Sequence, residues 1–328
     1  MSDLAGLAES VAVDPLVGHP ADYHVFHKFL ARCKDLPAIT TAVVWPLSDV
    51  ALRGAVEAAE ENLILPTLIG DEAAMKALAA KIGVDISPYP ILQADTERKA
   101  AELGVCMCRS GGGAQAMMKG SLHTDELMKV AMKSETGLRT GRRISHVFVM
   151  DTPAYPRTLL ITDAAINIEP ELEDKIHIVQ NAIDLAHALG IPEPKVALLS
   201  AIETVNTKIK STLDAAALCK MADRGQITGG ILDGPLAFDT AVSAKAAKIK
   251  GLVSPVTGQA DILVVPDLES GNMLAKQLEY LGGAQLAGIV LGARVPTILT
   301  SRADSAETRL TSCAVAVLLH YADHPLGS

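Results

Sequence analysis

The chain has 328 residues, of which 49% are hydrophobic and only 3% aromatic, and it carries a net charge of -9. That length suits two lobes better than one compact core, and Ala, Val, Leu and Ile must build the interior. The acidic balance, with no long basic run, argues against nucleic-acid binding, so an anionic substrate must be held by local Arg, Lys or helix ends.

Residues 1–30 are polar and irregular, then helical through His27 and Leu30. The start, Met1 to Asp14, has acidic residues and no basic region, so it does not read as a secretory signal. Ala38 to Trp45 is a β-rich run, and Ser48 is placed to cap a helix reaching Glu61. Leu63 to Ile69 reads as a strand, Asp71 to Ile82 as a helix stopped by Gly83, and Ile91 to Gln93 as a short strand. Helical stretches are then expected to about Met132, interrupted by the glycines at 111–113. Ile144 to Met150 and Thr158 to Thr162 are apolar strands. Pro153-Ala154-Tyr155-Pro156 between them reads as a hinge.

The second half repeats the rhythm. Helices are expected over Pro170 to Leu189, Thr212 to Ala222, Asn272 to Leu281 and Asp304 to Tyr321. Strands are expected over Lys195 to Ala201, Ile227 to Leu232, Ile262 to Val265, Leu286 to Leu291 and Thr297 to Thr300, with Gly292 to Pro296 as a crossing point. Apolar strands that do not alternate, separated by helices, imply an α/β architecture with largely parallel sheets covered by helices on both faces. No apolar stretch reaches the about 20 residues that span a bilayer. The five cysteines are odd in number and read as reduced thiols of a cytoplasmic protein. Cys106 and Cys108 lack two further ligands at zinc spacing, so no metal site is assigned.

The Gly-rich dinucleotide fingerprint, the phosphate-binding loop of nucleotide hydrolases and a glycine-flanked nucleophilic serine are all missing. The strongest local signal is Thr300-Ser301-Arg302-Ala303-Asp304-Ser305, where an apolar strand ends and a helix begins. Ligands of open α/β sheets bind at such strand ends, and helix N-termini offer free N–H groups to anions. Ser301 adds a hydroxyl and Arg302 a planar cation. Asp304 and Glu307 equally have capping-box spacing, which reads Asp304 as a cap.

A second basic cluster runs from Gly137 to Arg143. Its glycines can let the backbone approach an anion that Arg139 and Arg142 chelate, or it is an ordinary solvated turn. A third is Lys119-Gly120-Ser121-Leu122-His123-Thr124. Ser121 or Thr124 can cap the following helix, Lys119 can face phosphate, and His123 is either a hydrogen-bond donor or a structural histidine. Asp233-Gly234-Pro235 and Pro266 to Asn272 follow strands and are explained as readily by turn and cap chemistry as by a site.

Taken in order from Ala38 to the C-terminus, these pieces resemble the phosphate acetyltransferase and phosphate butyryltransferase family. The resemblance is carried by Lys119-Gly120 with His123-Thr124, the Gly137 to Gly141 turn, Ser145-His146-Val147 and Leu160 to Asp163. It continues through Asp223 to Ile227, Asp233 to Ala237, Pro266 to Asn272 and Thr300 to Ser305. The last string and the Gly137 turn resemble the butyryltransferase branch, and the chain also resembles the transferase half of hydratase–transferase fusions.

The resemblance implies a two-domain fold like that of isocitrate and isopropylmalate dehydrogenases, usually as a homodimer. Residues 1–154 with 293–328 would form one domain and 155–292 the other, with the active site in the cleft. It implies acyl-CoA plus phosphate giving acyl phosphate plus CoA, with CoA as substrate and no redox cofactor. It places Ser301 and Arg302 in the active site. The residues themselves add His123 as a further catalytic candidate, Arg139, Arg142, Lys119 and Thr124 as candidates for phosphate, and Thr300, Asp304, Asp233, Asp267 and Asn272 as candidates along the CoA cleft. Thr308 stands where classical acetyltransferases carry an aspartate proposed as base, and Lys129 is the nearest cation to their phosphate-binding arginine.

Two other readings share the fold. A nicotinamide- and metal-dependent hydroxy-acid dehydrogenase would need clustered aspartates, for which Asp233 and Asp267 are the nearest candidates. A non-catalytic acyl-CoA-binding module is the other, left open by Thr308.

Overall fold

The computed structural model describes residues 25–109, 113–299 and 306–326. The opening segment and the Thr300–Ser305 string therefore lie outside the described residues.

The first lobe of the chain is built from α1 (Val25–Cys33), β1 (Ile39–Val44), α2 (Asp49–Glu60), β2 (Ile64–Gly70), α3 (Glu72–Ile82), β3 (Ile91–Gln93), α4 (Glu97–Arg109), β4 (Ala116–Lys119) and α5 (Thr124–Ala131). Caps set these elements as their residue types demand. Ser48 Oγ accepts from Ala51 N at 3.3 Å, and Gly83 ends α3 at φ 70° in the left-handed region. β5 (Ser145–Thr152) and β6 (Tyr155–Thr162) follow, then α6 (Leu172–Ala188), β7 (Lys195–Leu199), α7 (Lys210–Asp223), β8 (Ile231–Leu236), α8 (Phe238–Val242) and α9 (Ala244–Ile249). The chain closes through β9 (Ile262–Val264), α10 (Leu268–Tyr280), β10 (Gln285–Leu291), β11 (Thr297–Ile298) and α11 (Ala306–Asp323).

All these strands join one 11-stranded sheet in the order β3-β2-β1-β4-β11-β10-β5-β6-β9-β7-β8. The pairings β11–β10, β10–β5 and β5–β6 are antiparallel. Those on either side are parallel, which agrees with the expected largely parallel α/β class.

Several expectations need correction. The stretch expected to be helical up to Met132 contains β4, which pairs with both β1 and β11. Ala116-Met117-Met118-Lys119 lacks the β-branched residues that mark a strand, and burial between two neighbours overrides that propensity. Pro153-Ala154, read as part of a hinge, is the turn of the β5–β6 hairpin, with Thr152 paired to Tyr155. The strand expected from Ile227 begins at Ile231, after Gly229 turns the chain at φ 86°. α10 begins at Leu268 rather than Asn272, because Asp267 Oδ1 caps it by accepting from Ser270 N at 2.8 Å.

The two faces of the sheet differ. On one face α1, α2, α3, α6, α7 and α11 pack into a single core running the width of the sheet, with Val43, Met118, Val147, Ile289 and Ile262 facing it. On the other face the side chains of alternate parity form two separate cores. One lies beneath α4 and α5, with Val44, Ile69 and Met117. The other lies beneath α8 and α10, with Met150, Ile161, Leu263 and Leu286. Between them is a strip of β11, β10 and β5, where Val290 of β10, the flanking Ile144 and Leu299, and Met128 of α5 form a small cluster.

Candidate active site

The carboxyl ends of β1 and β4 are stitched together beside this strip. Gly120 N donates to Val44 O at 2.8 Å and Ser121 N to Trp45 O at 2.8 Å. Ser121 Oγ donates to Trp45 O at 2.9 Å and accepts from Leu47 N at 3.2 Å. A Cβ at Gly120 would lie 2.3 Å from Trp45 O, so only glycine permits the approach. Trp45 itself is held at φ 57°, a strained conformation for a side chain of that size.

Lys119, only 6% exposed, ends β4. Its ammonium donates to Gly120 O at 3.1 Å and Leu122 O at 3.3 Å, which keeps the buried charge hydrogen-bonded. Neither Ser121 nor Thr124 caps the next helix, as the sequence had suggested. His123 occupies the N-cap position with an exposed side chain that makes no capping bond, and Thr124 is the first helical residue. Lys119, His123 and Thr124 are thus brought together at one corner, around the free N–H groups of α5.

Leu299 reaches the same strip from β11, immediately before Thr300 and Ser301. Thr300, Ser301, Arg302 and Asp304 lie outside the described residues. Glu307 accepts from Gln285 Nε2 at 2.9 Å, and Thr308 is buried.

The opposite wall is the loop from Asp163 to Asn167. Buried Asp163 gathers the N–H groups of Ala165 at 2.9 Å, Ile166 at 3.1 Å and Asn167 at 3.2 Å, and Asn167 Nδ2 at 2.6 Å. Burial pushes its carboxyl above the usual range, against the pull of those donors. Ala165 and Ile166 pack on the Met128–Leu299 cluster. Asn272 Nδ2 donates to Ala164 O at 3.2 Å from outside, and Asp267 is spent as the α10 cap.

Other expected residues are placed elsewhere. Asp233 is on β8, six strands from β11, and accepts from Gly234 N at 2.8 Å. The Gly137 turn does not expose an anion-binding backbone at Gly137, whose missing Cβ instead admits Ala131 O and Lys133 O at 2.4 Å. Arg142 is ion-paired with Asp184 and hydrogen-bonded to Asn181, both on α6. It lines a cavity of about 440 Å³ with Gly292, Arg294 and Leu319, on the face of the continuous core. Arg143 is engaged by Asn167 at 2.7 Å and Asp174 at 3.3 Å. Arg139 is exposed, its backbone bridged to Ala293.

Sequence reading assigned no role to His146, Phe148 and Gly288, which floor the strip. The signal was the polar pair Ser145-His146 inside an otherwise apolar strand, Ile144-Ser145-His146-Val147-Phe148-Val149. Among the described residues no group of three or more His, Cys, Asp or Glu could hold a metal, and no helix is long and apolar enough to cross a membrane.

Residues 91–317 match the family described as phosphate acetyl/butaryl transferase. The chain belongs to that family of acyltransferases. A phosphate acetyltransferase of Rhizobium meliloti is 57% identical over 91% of this chain and 94% of its own length. A phosphate butyryltransferase of Clostridium beijerinckii is 42% identical over 90% and 97%. Among solved structures, a branched-chain phosphotransacylase of Enterococcus faecalis V583 superposes with a TM-score of 0.75 at 33% identity, covering 86% of this chain and 99% of that one. The acetyltransferase is thus nearer in identity than the butyryltransferase, although local motifs had pointed to the butyryltransferase branch.

Proposed function

We propose that this enzyme transfers a short acyl group between coenzyme A and inorganic phosphate, giving acyl phosphate and free CoA. The observation that carries this reading is the extended similarity to both acetyl- and butyryltransferases, which runs through the stitched Lys119–Thr124 corner and the strip beside it. The dehydrogenase and non-catalytic readings draw no support from these relatives.

The chemistry asks for little covalent help. A phosphate oxygen attacks the thioester carbon, negative charge develops on the acyl oxygen, and the CoA thiolate leaves. The enzyme must hold two anions together and stabilise that oxyanion. In our reading Ser301, with nearby backbone N–H groups, donates to the oxyanion, and Arg302 binds phosphate. Lys119 and Thr124 complete the phosphate side at the N-terminus of α5. Arg139 is the cation of the Gly137 turn free to join them, since Arg142 already has Asp184. In the reverse direction His123, Asp304 or Glu307 takes the thiol proton, or phosphate takes it directly. CoA would lie across Thr300 and Asp304 toward the Asp267–Asn272 end of α10.

We read residues 1–154 with 293–328 and residues 155–292 as the two lobes, with the strip as their cleft. The protein works as a cytoplasmic homodimer without a redox cofactor in this reading; five cysteines outside any disulfide are consistent with a reducing compartment. The test is a panel of acetyl-, propionyl- and butyryl-CoA with and without phosphate, following thiol release. Phosphate-independent release, or none, overturns the class. Ser301→Ala should lower kcat by about a hundredfold in both directions; an undiminished rate removes Ser301 from the oxyanion role.

A further inference from the structure

His146 is fully buried, and neither ring nitrogen has a hydrogen-bond partner among the described residues. Buried polar atoms are almost always satisfied, and replacing an unsatisfied one by an apolar group of similar shape is neutral or stabilising. An imidazole kept for packing alone is therefore a poor choice where leucine or phenylalanine would serve. Burial holds its pKa down to about 3, so the ring is neutral near pH 7, with one donor and one acceptor nitrogen. Asp163 accepts the backbone N–H of His146.

The ring's surroundings show what it faces. It sits edge-on to Phe148, with ring centroids 4.3 Å apart and planes at 79°. A Cβ on Gly288 would lie 3.1 Å from His146 Nε2 and 2.3 Å from Leu299 O, so the imidazole and the Leu299 carbonyl converge over the same missing side chain. Gly288 is itself tied down: its N–H donates to Ser312 Oγ at 3.1 Å, and its carbonyl accepts from Leu299 N at 3.1 Å. Nε2, without a partner among the described residues, thus lies beside the point where the main chain leaves β11, in the strip between the two helix groups of that face.

We propose that His146 is a positioning residue for acyl transfer: as the transition state forms, its imidazole donates a hydrogen bond to the Leu299 main chain over the Gly288 gap and fixes the course of β11 into the cleft. The inference rests on the acyl-transfer reading above. Its energetic logic is that a hydrogen bond left unmade in the free enzyme is made in the reacting complex, which favours kcat over ground-state binding.

The experiment uses the full chain and compares parent, His146→Phe and His146→Gln. Gln keeps a donor near the Nε2 position, whereas Phe keeps the ring shape without one. His146→Phe should lose about tenfold or more in kcat, with KM for phosphate and acyl-CoA within about threefold and a Tm equal to or above the parent's. His146→Gln should recover most of the rate. A His146→Phe enzyme within twofold of the parent overturns the proposal, as does His146→Gln falling as far as His146→Phe. A parent without phosphate-dependent thiol release sinks the acyl-transfer reading instead, so the two failures are distinguishable.

Discussion

The two faces of the sheet use the same strands for opposite ends. On one face six helices press a continuous apolar core against alternate residues of nearly every strand. On the other the helices stand in two groups; Lys119 ends β4 beside the gap, and the strands in the gap carry a glycine and a histidine without a partner among the described residues. Because side chains alternate along a strand, neighbours such as His146 and Val147 can serve these two tasks one residue apart. In the proposed reading, stability and chemistry are therefore separated by parity rather than by domain.

That separation predicts which substitutions trade stability for nothing and which trade rate for little. The largest stability effect belongs to the continuous core. Ile289→Ala removes a fully buried side chain from beneath α11 and should cost about 2–5 kcal/mol in urea unfolding, with kcat unchanged within about twofold well below Tm. A large kcat loss at full folding would break the parity argument.

Next is Lys119→Met, on the divided face. It leaves the Gly120 and Leu122 carbonyls short of a donor and removes the buried cation from the α5 corner. Phosphate kcat/KM should fall by about ten- to a hundredfold, and an unchanged value would place phosphate elsewhere. The smallest effect is expected at Arg142. Its half-exposed pair with Asp184 is worth only about 0–1 kcal/mol, and its cation faces the other side of the sheet. Arg142→Ala should therefore alter phosphate KM by less than about threefold and Tm little. A tenfold rise in KM would return Arg142 to the phosphate site and erase its contrast with Lys119.

These last two residues show where local sequence stops. Both lie in glycine-containing basic segments, and composition gives each the same claim on an anion. What distinguishes them is the partner each cation meets. Asp184 is 42 positions from Arg142 in sequence and is supplied by α6, whereas the Lys119 loop is sewn to β1 through Trp45, 74 or more positions away. His146 was visible as a polar interruption of a strand, but its lack of partners is a property of its packed surroundings. β4 was hidden because its four residues favour a helix and only pairing with β1 and β11 makes them a strand.

By itself the sequence determined the α/β class, most helix and strand positions, the Ser48 and Gly83 signals and the family. These rest on short-range periodicity, caps and motif order, all written within a few residues of one another. Tertiary structure alone decided the strand order, the three antiparallel pairings at the sheet's centre, the splitting of one helical layer and the partners that the two basic segments meet. Each depends on residues far apart in the chain meeting across the sheet, where burial and hydrogen-bond satisfaction, rather than local propensity, select the outcome.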